Sequence, residues 1–221
     1  MARAKHSGKR RNRVQFKWTK ELIFFLIGFV VLIGLMIFCL IPTSKQSFHK
    51  KWVSTSANLK LDNQFEETNF DKLKKKIDNK ETVYVYYAFD GDDTSKSNLE
   101  ILDHYTNKQV GSNEDKHYNI DKIYVYDAND AYYVKNHNDD EKAASALDSK
   151  AEYFNSLKSA DIKKDIDLRT YCQLWIFKDG QLVFSSSDII SDSQASNQGA
   201  NFTLATIKFC GYELTEQDLT K

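Results

Sequence analysis

Thr82–Lys96, TVYVYYAFDGDDTSK, is the stretch on which the reading of the fold turns. Its first eight residues are β-branched or aromatic apart from one alanine, with almost no alternation of polarity, which is the pattern of a strand covered on both faces. Asp90–Asp93 is an acidic turn. Thr94–Tyr105 then places Leu99, Leu102 and Tyr105 on one helical stripe, with Thr94 or Ser95 available as the N-cap. A central strand that passes through a short loop into a helix is where an α/β domain puts its chemistry, outside the carboxyl end of the strand. This loop holds no Cys, His or other nucleophile.

The neighbouring segments alternate in the same way. On the N-terminal side Phe70, Leu73 and Ile77 fall at helical spacing, with Lys72, Lys74, Lys75 and Lys76 on the solvated face. Asn69 or Asp71 starts that helix and Asp78-Asn79 ends it. On the C-terminal side Gly111–Lys116 is loop, and Ile123–Tyr126 is a second buried strand ending at Asp127. Asp127–Asp130 and Asn136–Asp140 bracket a short insertion. From Asp140 a longer helix turns Ala143, Leu147, Ala151, Phe154 and Leu157 inward. Gln173–Phe177, the turn Lys178-Asp179-Gly180 and Gln181–Phe184 make a hairpin around an Asp-Gly turn. After the polar loop Ser185–Gln198, the residues Phe202, Ala205, Ile207 and Phe209 fit a helix stopped by Gly211, although ATIKFCGYEL also passes for a strand.

The N-terminal portion has a different character. Leu22–Ile41 runs 20 residues without a charge, enough helix for roughly 30 Å of hydrocarbon. Its length, and the bulky Met36, Ile37 and Phe38 where a cleavage site wants small residues, mark an uncleaved anchor. Residues 1–21 carry eight Lys/Arg against one acid, so the tail is expected in the cytoplasm and the rest outside. Topology accounts for this basic tail, and no nucleic-acid partner is expected. After Glu21 the chain holds 23 basic and 30 acidic residues, a net charge of −7 within a neutral whole. Residues 42–69 read as a polar extracytoplasmic spacer, and 70–221 as one domain. A single Pro with much Lys, Asn, Asp, Ile and Tyr suggests an AT-rich bacterial genome.

Helix, strand, helix, strand, helix, hairpin and final element is the order of the thioredoxin-like fold. KKKIDNKETVYVYY resembles the entry to the first core strand of bacterial thioredoxin-like proteins, in particular the membrane-anchored bacteriocin transport accessory proteins. IYVYDAND is similar to their next strand, and LWIFKDGQLV to the hairpin after the cis-proline. The resemblance covers about Phe70 to Ser186 and implies an α/β domain with a central mixed sheet flanked by helices. It also implies a CxxC pair within Asp90–Lys96, most simply at Gly91 and Thr94, and a cis-proline where this chain has Cys172. None of these positions has the residue required, and exchange needs an attacking thiolate with a resolving partner.

Asp90, Asp92 and Asp93 suggest a calcium loop, but an EF-hand needs Gly and Glu where Ser95 and Ile101 stand. Acids at a helix N-terminus are sufficient reason for them, so no metal and no cofactor are expected. Cys172 and Cys210 are buried free thiols, a disulfide, or a relocated redox pair. The five histidines are scattered and no hydrolase or transferase motif is present. The expectation is a single-pass membrane protein whose thioredoxin-like domain is a non-catalytic binding or assembly module. Its groove is formed by Phe89, Asp90, Asp92 and Asp93 with Tyr171, and its partner is another envelope or secretion protein. The alternatives are a thiol-disulfide oxidoreductase using Cys172 and Cys210, and a structural subunit of a membrane assembly. The sequence leaves the oligomeric state open.

Overall fold

The computed structural model describes residues 19–40, 43–53, 59–107, 120–132, 140–189 and 198–212, with the side chains of 37–40, 107 and 198–200 excepted. The chain forms two units, Met1–Pro42 and Thr43–Lys221.

In the first unit, helix α1 spans Lys20–Leu40, 21 residues. Thr19 accepts from the Leu22 amide at 3.3 Å and so caps its start. Phe24, Phe25, Leu32 and Met36 stand exposed along it. Counted over the residues described throughout, no helix is long and apolar enough to cross a membrane, while the backbone of α1 continues as helix to Leu40.

The second unit is a mixed α/β domain built on a five-stranded sheet. In chain order it contains α2 (Ser44–Trp52), β1 (Phe65–Thr68), α3 (Phe70–Asp78), β2 (Val83–Ala88), α4 (Asp93–Asn107) and β3 (Ile123–Asp127). There follow α5 (Ala128–Tyr132), α6 (Asp140–Ser156), β4 (Gln173–Lys178), β5 (Gln181–Ser185), a single 3₁₀ turn at Ser186–Asp188 and α7 (Gln198–Phe209). The strand order is β1-β3-β2-β4-β5, with β1, β3 and β2 parallel and β4 and β5 antiparallel additions. Asn69 caps α3 by accepting from the Lys72 amide at 3.0 Å. The hairpin turn has positive φ at both Asp179 (54°) and Gly180 (83°), the geometry that an Asp-Gly pair suits.

The sheet is apolar on both sides, as the unalternating strands predict. Val83, Val85 and Tyr87 of β2, with Trp175 and Phe177 of β4, face Leu73 and Ile77 of α3 and Leu147 and Phe154 of α6. Tyr86, Ala88, Leu174 and Ile176 face Leu99 and Leu102 of α4 and Phe202, Ala205 and Phe209 of α7. The region 202–209, open to two readings in the sequence, is helical.

Residues 42–69, read as a spacer, are in large part folded. α2 opens with a capping box in which Thr43 and Gln46 bond each other's backbone amides. Phe48, Trp52 and Phe65 are at most 2% exposed and stack in series at ring separations of 6.2 Å. β1 contributes only four residues, Phe-Glu-Glu-Thr, with just Phe65 and Thr68 inward, too short a pattern to register as a strand. The Lys45 ammonium donates to the Asn63 and Phe65 carbonyls. At the opposite edge, residues 157–159 bond both backbone groups of Leu182 on β5.

Candidate functional site

A groove of about 380 Å³ opens beyond the carboxyl end of β2, between the N-terminus of α4, the segment Arg169–Cys172 entering β4, and Phe202 of α7. Its construction begins with the turn after β2. The Asp92 amide donates to the Phe89 carbonyl at 3.1 Å, and Gly91 lies so close beneath the Phe89 ring that a Cβ there would meet it at 2.6 Å. That close approach is the reason for glycine at this position. Asp92 is then the N-cap of α4, accepting from the Ser95 amide at 2.6 Å.

Ser95 points inward. Its hydroxyl accepts from the Phe89 amide at 3.2 Å and lies 3.3 Å from Cys172 Sγ. Tyr86, buried in β2, donates to the Ser95 carbonyl at 2.9 Å, and its oxygen is 3.6 Å from the same sulfur. Cys172 sits at φ 63°, in the left-handed region, so the chain turns sharply there before β4 begins. The peptide bonds are all trans among the described residues. The loop before Cys172 is held from within. Gln173 donates to the Asp167 and Thr170 carbonyls at 2.7 and 2.5 Å, and Tyr87 donates to the Leu168 carbonyl at 2.7 Å. Tyr171 stays 44% exposed, its ring 5.7 Å from that of Phe89.

The electrostatics disfavour a thiolate. Burial pushes the Cys172 thiol above its ordinary value and the Asp92 charge adds to this, while bonds to Ser95 and Tyr86 only partly offset it. The nearby guanidinium of Arg169 is engaged by Asp148 at 2.6 Å, which holds its pKa above the usual arginine value. Cys210, 1% exposed, is pushed by burial up to about 12. Both cysteines are free thiols. The arrangement is suited to hold a ligand against a protonated sulfur, and poorly suited to attack one.

Of the residues singled out in the sequence, Phe89, Asp92, Thr94, Tyr171 and Cys172 come together around this groove. Thr94, one of the two positions where the resemblance puts a thiol pair, lines the groove with Cys172. The turn uses Gly91, and Ser95, one residue after Thr94, meets the sulfur. Asp93 is exposed in the first turn of α4. Asp90 faces away, accepting from Asn129 Nδ2 at 2.6 Å and lying 3.9 Å from Lys51 Nζ. Lys51 also meets Glu67 at 2.6 Å and the buried Asp127 at 2.5 Å. Burial by itself lowers the pKa of the Lys51 ammonium, and its bonds to Asp127 and Glu67 hold it above the ordinary lysine value.

Ser95, Asn98 and Phe202 escaped the sequence reading as site residues. Ser95 carried a signal, since it precedes Leu99 and Leu102 on the inward stripe of its helix, where a polar residue needs a partner. Among the described residues no three His, Cys, Asp or Glu side chains are grouped so as to hold a metal ion. Residues 133–139, within the segment read as an insertion after β3, lie outside the described residues. No protein-family model matches the chain, and no curated protein matches it.

Proposed function

We propose that the chain is a single-pass membrane protein whose extracytoplasmic, thioredoxin-like domain binds an extended segment of an envelope or secretion protein and performs no thiol chemistry. The sheet order β1-β3-β2-β4-β5, with a helix after each parallel strand, supports the thioredoxin-like reading. The 21-residue α1 with its exposed apolar side chains supports the anchor. The observation that carries the function is that the groups meeting Cys172 Sγ are the hydroxyls of Ser95 and the buried Tyr86, with no second thiol at the groove among the described residues and with the thiol's pKa raised. A groove of this size with Phe202 in its lining and an exposed Tyr171 at its rim suits one or two side chains of a bound segment.

The test is site-specific photocrosslinking in membranes from a benzophenone side chain at Tyr171, with the same probe at Lys178 as reference. A discrete adduct from Tyr171, absent from Lys178 and lost in Phe202→Asp, is the expected result. The oxidoreductase alternative is tested by insulin reduction with the full chain. Turnover that disappears in Cys172→Ser or Cys210→Ser overturns the binding-only reading.

A further inference from the structure

A second surface, on the other side of the sheet from the groove, has a different chemistry. Lys72, Lys75, Lys76 and Asn79 follow the i, i+3, i+4, i+7 spacing of one face of α3 and line a hollow of about 240 Å³. Tyr124 of β3 lies beneath, with the ammonium of Lys76 at 5.1 Å and that of Lys122 at 5.8 Å from its ring centre. Glu81 and Glu66, which line the same hollow, pair with these two lysines, at 3.0 and 2.5 Å. Lys72 and Lys75 are exposed and have no carboxylate partner among the described residues.

A solvated helix face does not require this pattern. Lys72 stands in the first turn of α3, where the helix dipole disfavours a cation. Like charges at 72/75 and 72/76 repel, whereas the alternating Lys74–Asp78 pair on the same helix shows the stabilising arrangement. The lysines are also concentrated on one helix of a chain that carries seven more acids than bases after Glu21. The side chains lining the hollow include no arginine, so planar bidentate recognition, whether of a carboxylate or of a phosphate, is not available. Ammonium groups act as point charges suited to a diffuse phosphate. Two ammonium groups already occupy the neighbourhood of the Tyr124 ring, which leaves it unsuited to stacking a nucleobase.

We infer that the α3 face, Lys72, Lys75 and Lys76 above Tyr124, is a binding surface for a linear phosphate polymer without bases. The test uses the full chain in neutral detergent micelles, with inorganic polyphosphate as the probe and lysine acetylation mapped by mass spectrometry. A local readout is chosen because the basic residues of 1–21 would dominate any measurement of total binding. Acetylation of Lys72 and Lys75 is expected to slow about tenfold at a polyphosphate concentration ten times its Kd, and to recover in high salt. Lys60 and Lys163 are expected to be unaffected, and Lys72→Gln to weaken the protection of Lys75. Absent protection, or equal protection at Lys60 and Lys163, overturns the site. Equal protection by poly-L-glutamate at matched charge overturns the phosphate chemistry. No outcome depends on whether the groove near Cys172 binds a partner.

Discussion

At Cys172 the backbone decides what the side chain can be. Its φ of 63° is open to glycine without strain and closed to proline, whose ring fixes φ near −65°. Cys172→Pro is therefore expected to destabilise the domain by more than about 3 kcal/mol. Cys172→Gly, which relieves the left-handed strain but loses the contacts with Ser95 and Tyr86, should stay within about 1 kcal/mol of the parent. Urea unfolding of the two variants checks both figures. Cys210 makes a separate prediction about pH. Its folded pKa is about 12 against an ordinary 9.0, so its contribution to stability is complete below pH 9 and is lost as pH rises towards 12. Between pH 8 and 10.5 the parent should lose roughly 2 kcal/mol more than Cys210→Ala, read from unfolding curves at each pH. A parent and variant with parallel pH profiles would show that this thiol is not shielded.

Among the elements, α2 and β1 separate what the sequence disclosed from what it hid. The strands β2, β3 and β4 were legible as uninterrupted runs of β-branched and aromatic residues, and the helices α3, α4 and α6 because each repeats its period, as with Leu99 and Leu102 or Leu147 and Phe154. α2 and β1 bury single aromatic residues separated by polar ones, so no period forms, and their place depends on Tyr86, Ile123 and Val125 far along the chain. The capping box Thr43…Gln46 was the one local sign of order. The groove was legible in part. Asp92 was found from the acidic turn after β2 and Tyr171 only through the resemblance at the entry to the hairpin, whereas Phe202 reaches the site through the packing of α7 against α4, which no local pattern reports. If α2 and β1 belong to the core, Trp52→Ala, which empties a site with no exposed surface, should cost about 3–5 kcal/mol. A chain beginning at Phe70 should lose the cooperative thermal transition that one beginning at Thr43 retains, by circular dichroism. Equal melting of the two would return 43–69 to the status of a spacer.

At the scale of the whole molecule, the proposed anchor and sidedness make one joint prediction. The proposed insertion depends on 20 uncharged residues and the proposed direction on the eight cations before them, so the two can be broken separately. Lysines at Val30 and Ile33, near the middle of α1, each add about 2.5–3.5 kcal/mol to the cost of insertion. The double variant should be released by alkaline carbonate while the parent stays with the membrane on flotation. Replacing Arg10, Arg11 and Arg13 by glutamine leaves the apolar segment intact and lowers only the charge bias. That variant should remain in the membrane but divide between two orientations. In cells opened to external protease, the parent is expected to lose the domain beyond Thr43 and keep a tag placed before Ala2, whereas a growing share of the arginine variant keeps the domain. A parent that retains its domain under protease and yields its tag would overturn the orientation, and with it the extracytoplasmic partner proposed for the groove, while leaving the groove itself unchanged.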